Sequence, residues 1–308
     1  MTVASIDIGT NTILLLIAEV NPGTKKIKVV KNLHSIPRIG KGLTKGSPFP
    51  EENVKRMFDV LANYSNEINK FNCEEILVTG TNAFRIASNS EEIINTIKTK
   101  FGFELNVITG EEEAKYSYLG AVSEHLGNQR LLVIDIGGGS TEIIYGIGTR
   151  INYCKSFTVG AVVGTENYFN ADPPSENEIK NLIDNLHEIF KEITDNVKEI
   201  DTTIAIAGTP TTLACIKHKL ETYDEEIIEG STLIKNDLNN FIVELSQLSS
   251  VEIGIKYQDV VKGREDVLLA GTIILNEVSN LLDLRKVKVS TKGIRYGAII
   301  NWLTPAST

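Results

Sequence analysis

A chain of 308 residues is long for one core and predicts two domains, each on the order of 120 to 180 residues and able to bury its own interior. The formal net charge of −9, from 31 basic and 40 acidic residues, argues against a general nucleic-acid or membrane surface. A polyanionic ligand stays open, because salt screens surface charge beyond roughly 8 Å and a local cluster of cations, metal and backbone donors decides binding.

In chain order, apolar alternation predicts strands over residues 3–7, 13–20 and 27–33, followed by a loop rich in Gly, Pro and Lys through residue 47. A helix is expected over 50–71, opened by Pro50, Glu51 and Glu52, with Val54, Met57, Phe58, Leu61, Tyr64 and Ile68 on one core-facing stripe. Next come a strand (76–80), a helix (90–101), a strand (105–108) and a helix opening at Thr109-Gly110-Glu111-Glu112-Glu113. The pattern then restarts after Arg130: hairpin strands to residue 157, a Pro173-Pro174 break and a helix over 176–193. A strand (203–207), helices over 235–248 and 264–282, a strand (286–290) and a short terminal helix complete it. Strands alternating with helices imply an α/β layered architecture, and the restart places the boundary at 123/124, giving domains 1–123 and 124–308.

Cys73, Cys154 and Cys215 show no CxxC, and His34, His125, His187 and His218 show no HxxxH. Neither a disulfide framework nor a zinc site follows, and free thiols in a reducing cytoplasm fit this usage. No apolar run approaches the ~18 residues of a membrane span. The N-terminus has no basic segment before Val3, and Asp7 and Gly9 interrupt its first apolar stretch, so no signal peptide is expected.

One phrase occurs twice: Asp7-Ile8-Gly9-Thr10-Asn11-Thr12 and Asp135-Ile136-Gly137-Gly138-Gly139-Ser140-Thr141, each between two apolar runs. Both read as strand-turn-strand hairpins. Glycine there lets the backbone approach a bulky anion, and successive N–H groups can converge on phosphate oxygens. The hydroxyls of Thr10, Thr12, Ser140 and Thr141 add donors. An aspartate beside such a turn would repel bare phosphate, which points to a divalent cation between them. A plain turn built by Asp and Gly is the alternative, and repetition at half-chain spacing favours the anion reading.

Three further sites carry chemistry. Glu111 and Glu112 suit the dipole and cap of their helix, whereas Glu113 is placed to accept a proton from an attacking water. Arg85, just beyond Thr79-Gly80-Thr81-Asn82, offers the planar donors that phosphate prefers. Ala207-Gly208-Thr209-Pro210-Thr211 is a third Gly/Thr turn that opens a helix and suits an anion, or equally an ordinary capped helix.

Together these residues resemble the exopolyphosphatase/guanosine pentaphosphate phosphohydrolase (Ppx/GppA) family, of the actin, sugar-kinase and heat-shock-70 ATPase superfamily. The segments are DIGTNT (7–12), RIGKGL (38–43), GTNAFRIASN (80–89), GEEEA (110–114), DIGGGSTE (135–142), GAVVGTE (160–166), AGTPTTLA (207–214), GREDVLLAG (263–271) and STKGIRYGA (290–298). The resemblance implies two ribonuclease-H-like domains flanking an inter-domain cleft, in the short two-domain form without the further helical domains of longer members. It implies a cytoplasmic homodimer acting on polyphosphate or guanosine pentaphosphate with Mg²⁺, and no nucleic-acid or membrane partner. By motif position Glu113 activates water, while Asp135 and Glu142 serve the metal and the catalytic centre, with Asp7 assisting at the metal through water. Arg85, Gly9, Thr10, Asn11, Thr12, Gly137, Gly138, Gly139, Ser140 and Thr141 match phosphate-binding positions, to which the residue-level reading adds Gly208 and Thr209. Val163 stands where the family often has arginine, Gly293-Ile294-Arg295-Tyr296-Gly297 where it reads GLREG, and Ala207 where it reads GGT, so the phosphate path has one fewer charge. An ATP-dependent sugar- or acetate-type kinase, and a non-catalytic polyphosphate or alarmone sensor, are the alternatives.

Overall fold

The computed structural model describes residues 1–23, 26–125 and 127–304. It divides into two compact units, Met1–Gly120 with Lys292–Thr308, and Ala121–Thr291.

The first unit contains β1 (Thr2–Ile8), β2 (Ile13–Asn21), β3 (Lys26–Ser35), α1 (Glu51–Lys70), β4 (Glu75–Gly80), α2 (Asn82–Ile86), α3 (Ser90–Phe101) and β5 (Leu105–Val107), and nearly all of α4 (Gly110–Ala121). Its sheet runs β3-β2-β1-β4-β5. β1 pairs antiparallel with β2 and parallel with β4. Successive side chains of a strand alternate between faces. Ala4, Ile6 and Ile8 therefore join Met57, Leu61, Tyr64 and Ile68 of α1 in one core, as the apolar stripe predicted. Val3, Leu16, Ala18 and Val20 point the other way.

The second unit contains β6 (Arg130–Ile136), β7 (Thr141–Ile147), β8 (Arg150–Phe157), α5 (Ala161–Tyr168), α6 (Glu176–Phe190), α7 (Ile193–Asn196), β9 (Thr202–Ile206), α8 (Gly208–Lys217), α9 (Glu225–Ile228), β10 (Thr232–Ile234), α10 (Lys235–Leu245), α11 (Ser250–Tyr257), α12 (Leu268–Leu281) and β11 (Lys286–Val289). Its sheet runs β10-β11-β9-β6-β7-β8. Apart from the added edge strand β10, this repeats the first unit's strand order. α12 is buried around nearly its whole circumference, and its apolar residues form the middle of the core with Leu182, Leu186, Phe190, Ala205 and Leu213.

The end of the chain departs from the domain division expected from sequence. The last helix, α13 (Ile294–Trp302), packs Tyr296, Ile299 and Leu303 onto Val3, Leu16, Ala18 and Val20 of the first unit's sheet. Residues 292–304 thus belong with residues 1–120 and not with the second domain. The reason is local: the second face of β1 and β2 is apolar and takes a helix, and α13 is the one that covers it. Residues 126 and 305–308 of the expected second domain lie outside the described residues.

Candidate active site

In the first unit, residues 9–12 close the β1–β2 hairpin with Gly9 N–H donating to Thr12 O at 2.9 Å. The loop after β3 seals this turn from outside. Arg38 N–H donates to Asn11 O (3.0 Å) and Gly40 N–H to Thr10 O (2.8 Å). A Cβ on Gly40 would stand 2.2 Å from Thr10 Cγ2, so any larger residue here requires the Thr10 side chain to move. α1 pins the loop in turn: Asn53 Nδ2 donates to the carbonyls of Ile39 and Lys41, and Arg56 Nε to that of Pro37.

The second unit repeats this construction. Gly137 N–H donates to Ser140 O at 2.9 Å, and the start of α5 seals the turn through Ala161 N–H to Gly137 O and Val162 N–H to Gly138 O, both 2.9 Å. A Cβ on Gly160 would meet Gly137 O at 2.5 Å and Gly138 C at 2.6 Å. None of Gly9, Gly137, Gly138 and Gly139 has a positive φ. The turn itself does not demand a left-handed residue, and the tightest steric need for glycine falls on the sealing residues 40 and 160.

The two copies differ at the row of residues beside the aspartate. Asp7 stands opposite Leu14, and Leu14 opposite His34. In the second unit Asp135 stands opposite Glu142, and Glu142 opposite Ser156. Asp135 and Glu142 are 6% and 1% exposed, and Ser156 Oγ donates to Glu142 Oε1 at 2.5 Å. Directly opposed residues of an antiparallel pair share one face with Cβ atoms about 4.5–5.5 Å apart, where like charges repel. Two buried carboxylates in that relation are a natural place for a cation.

Glu113 is the third carboxylate of interest. Glu112 and Thr109 cap each other at the start of α4, Thr109 N–H donating to Glu112 Oε2 at 2.9 Å and Glu112 N–H to Thr109 Oγ1 at 3.2 Å. That is the helix-capping role the sequence suggested, and Glu111 and Glu112 are exposed. Glu113 is only 7% exposed. Arg85 Nη1 donates to Glu113 Oε2 at 2.7 Å and to the carbonyl of Ile108 at 2.9 Å. Burial pushes the Glu113 carboxyl above the usual glutamate range, and the Arg85 guanidinium opposes the shift; the net direction is upward.

Not every expected site residue presents its side chain for binding. Thr141 is the first residue of β7, fully buried, and its hydroxyl is donated to Val159 O at 2.6 Å. Thr209 is turned toward α12, where a Cβ on Gly271 would meet its Oγ1 at 2.2 Å. Gly208 does open α8, and there the structure adds a residue that sequence reasoning passed over. A Cβ at 208 would fall 1.6 Å from Arg264 Nη1, so the Arg264 guanidinium lies directly on the helix start. Arg264 sat in a quoted segment, GREDVLLAG, with no role attached. Ser156 was missed as well; its signal was hairpin register, obscured by the irregularity between Tyr145 and Gly146. No group of three or more His, Cys, Asp or Glu side chains suited to a metal lies together among the described residues, and no helix there is long and apolar enough to cross a membrane.

Comparison with known proteins gives this arrangement a family. The model of the Ppx/GppA phosphatase family matches residues 16–306. The chain is 33% identical over 309 residues to a bifunctional 3-dehydroquinate synthase/phosphatase of Fusobacterium nucleatum, covering 96% of this chain and 46% of that protein. It is 26% identical over 296 residues to a guanosine-5′-triphosphate,3′-diphosphate pyrophosphatase of Aliivibrio fischeri, covering 96% of this chain and 58% of that one. The chain therefore spans about half the length of the curated relatives it matches. The crystal structure of the Aquifex aeolicus Ppx/GppA family member superposes with a TM-score of 0.84 at 29% identity, over 98% of this chain and 97% of that one. With a family model that matches nearly the whole chain and a family structure that superposes over 98% of it, the chain belongs to the Ppx/GppA phosphatase family.

Proposed function

We propose that the chain is a phosphoanhydride hydrolase that releases terminal orthophosphate from inorganic polyphosphate, from the 5′ end of guanosine pentaphosphate, or from both. The observation that carries this reading is the state of Glu113. A carboxylate in the first turn of a helix ordinarily sits in water and complements the dipole. This one is buried, raised in pKa by that burial and anchored on an arginine, the environment of a carboxylate made more ready to accept a proton.

In this reading Glu113 takes the proton of a water whose oxygen attacks the terminal phosphorus. The new O–P bond forms as the bridging P–O bond breaks, and the shortened chain leaves as a phosphate anion that needs no proton. In the first unit the amides of residues 10–12 and the guanidinium of Arg85 suit phosphate oxygens, and in the second unit the amides of residues 138–140 and the guanidinium of Arg264 do the same, each set supplying fixed positive charge against developing negative charge. Asp135 and Glu142 fit Mg²⁺, which is commonly bound by one or two carboxylates with waters and substrate phosphates completing its shell. When bound, the ion would act as a Lewis acid on phosphoryl oxygens. The name of the Aliivibrio fischeri relative supports a guanosine pentaphosphate substrate.

The test is an orthophosphate-release assay on polyphosphate of several lengths beside guanosine pentaphosphate, with Mg²⁺ and with EDTA. Release should require the metal, and Glu113→Gln should lower it by about 10²- to 10⁴-fold while ligand binding is retained. No release by the wild-type chain from any of these substrates would end the proposal.

A further inference from the structure

We propose that Ser156 is a positioning residue for the metal-binding carboxylate Glu142, an inference that rests on the reading of Asp135 and Glu142 given above. Three observations meet at this serine. First, its hydroxyl donates to Glu142 Oε1 at 2.5 Å, a short charge-assisted contact. Secondly, Ser156 is the cross-strand neighbour of Glu142 on the side away from Asp135, so the three side chains form a row across β6, β7 and β8. Thirdly, the first unit repeats the turn but not the row: there the positions read Asp7, Leu14 and His34. The serine accompanies the glutamate and is missing where leucine replaces it.

The physical role follows from the placement. A glutamate has three rotatable side-chain bonds, and Glu142 is almost fully buried against a second acid in register. A donor fixed on the neighbouring strand restricts the rotamer and supplies one hydrogen bond that burial takes from water. Outer partners of metal-binding carboxylates act in this way, and their loss typically lowers metal affinity or activity by about 10- to 100-fold. Ser156 itself is exposed on an edge strand, so its replacement by alanine leaves the core intact.

The experiment titrates Mn²⁺ alone into the full chain, followed by electron paramagnetic resonance, for wild type, Ser156→Ala, Ser156→Thr, Glu142→Gln and the Ser156→Ala/Glu142→Gln double variant. Ser156→Ala should weaken Mn²⁺ binding by about tenfold or more, and Ser156→Thr, which keeps the hydroxyl, should restore most of it. The double variant should be no weaker than Glu142→Gln, since the serine acts only through the glutamate. Wild-type affinity in Ser156→Ala beside a clear loss in Glu142→Gln overturns the role of the serine and leaves the metal reading standing. Unchanged affinity in Glu142→Gln overturns the metal reading, and the role of Ser156 with it.

Discussion

The guanidinium of Arg85 bridges the carboxylate of Glu113, 2.7 Å away, and the carbonyl of Ile108, 2.9 Å away, so one side chain ties the first turn of α4 to the end of β5. The arginine has two effects on the glutamate: it fixes the carboxylate in place, and it partly offsets the rise in pKa that burial imposes.

The first prediction concerns pH. A base must be ionised to act, so phosphate release by the wild-type chain should fall on the acid side with an apparent pKa above the ordinary 4.5 of glutamate. Arg85→Ala removes the cation that lowers this value, so the acid limb should move to higher pH, with Arg85→Lys between the two. Superimposable pH profiles of kcat/KM for wild type and Arg85→Ala would remove Glu113 from the role of base.

The second prediction separates the two sealed turns. Gly160→Ala drives a methyl group into backbone atoms, Gly137 O and Gly138 C, whereas Gly40→Ala meets chiefly the Thr10 side chain, whose methyl can rotate away. Gly160→Ala should therefore cost about 1–3 kcal/mol of stability, as overpacking does, and displace the 137–140 turn with loss of phosphate release. Gly40→Ala should be the milder of the two. Thermal melts and activity of both variants decide the order.

A third prediction lies away from the site. Ser175 and Glu178 form a reciprocal cap on α6, Ser175 N–H donating to Glu178 Oε2 at 2.8 Å, while Asn170 N–H donates to Glu178 Oε1 at 2.7 Å. Ser175→Ala should cost about 1 kcal/mol. The backbone donors of Ser175 and Asn170 pull the Glu178 pKa from 4.5 down to about 2. A lowered carboxyl pKa adds stability that is full above the unfolded value and is lost as pH falls through the folded one. Protection factors of the α6 amides, with the pH dependence of intrinsic exchange divided out, should thus fall between about pH 4.5 and pH 2 in the wild type, and the fall should shrink in Glu178→Gln.

A fourth concerns the docking of the last helix. A Cβ on Gly297 would lie 1.8 Å from Tyr116 O, a backbone atom of α4. Gly297→Ala should lower the melting temperature more than Ala298→Gly, since the first forces two helices apart while the second only loosens one. The reverse order in differential scanning calorimetry would mean that α4 and α13 do not touch there.

Much of this was legible in the chain. The α1 stripe, the two hairpins and the strand–helix alternation follow from periodicity, because each is a local pattern with a face to bury. Glu113 could be separated from Glu111 and Glu112 by its place on the helix and more firmly by position in a motif, since charge is alike for all three; burial distinguishes them outright and depends on the fold around them. α5 escaped notice because its eight residues, Ala161–Tyr168, carry Gly164, two β-branched valines and no side-chain cap. β10 is three residues long, too short for alternation to declare itself. Thr141 and Thr209 looked like anion donors because hydroxyls beside glycine usually face water, and here they face the Val159 carbonyl just after β8 and a helix.

The position of α13 has a consequence for how the molecule is made. The helix that covers the second apolar face of the first unit's sheet leaves the ribosome only after every strand of the other sheet. During synthesis the early sheet must wait with Val3, Leu16, Ala18 and Val20 uncovered, while the later one can close as soon as β11 arrives. Maturation of the first unit is thereby deferred until residues 292–304 have been made, and a nascent chain released before them should be recognised by chaperones through that bare surface.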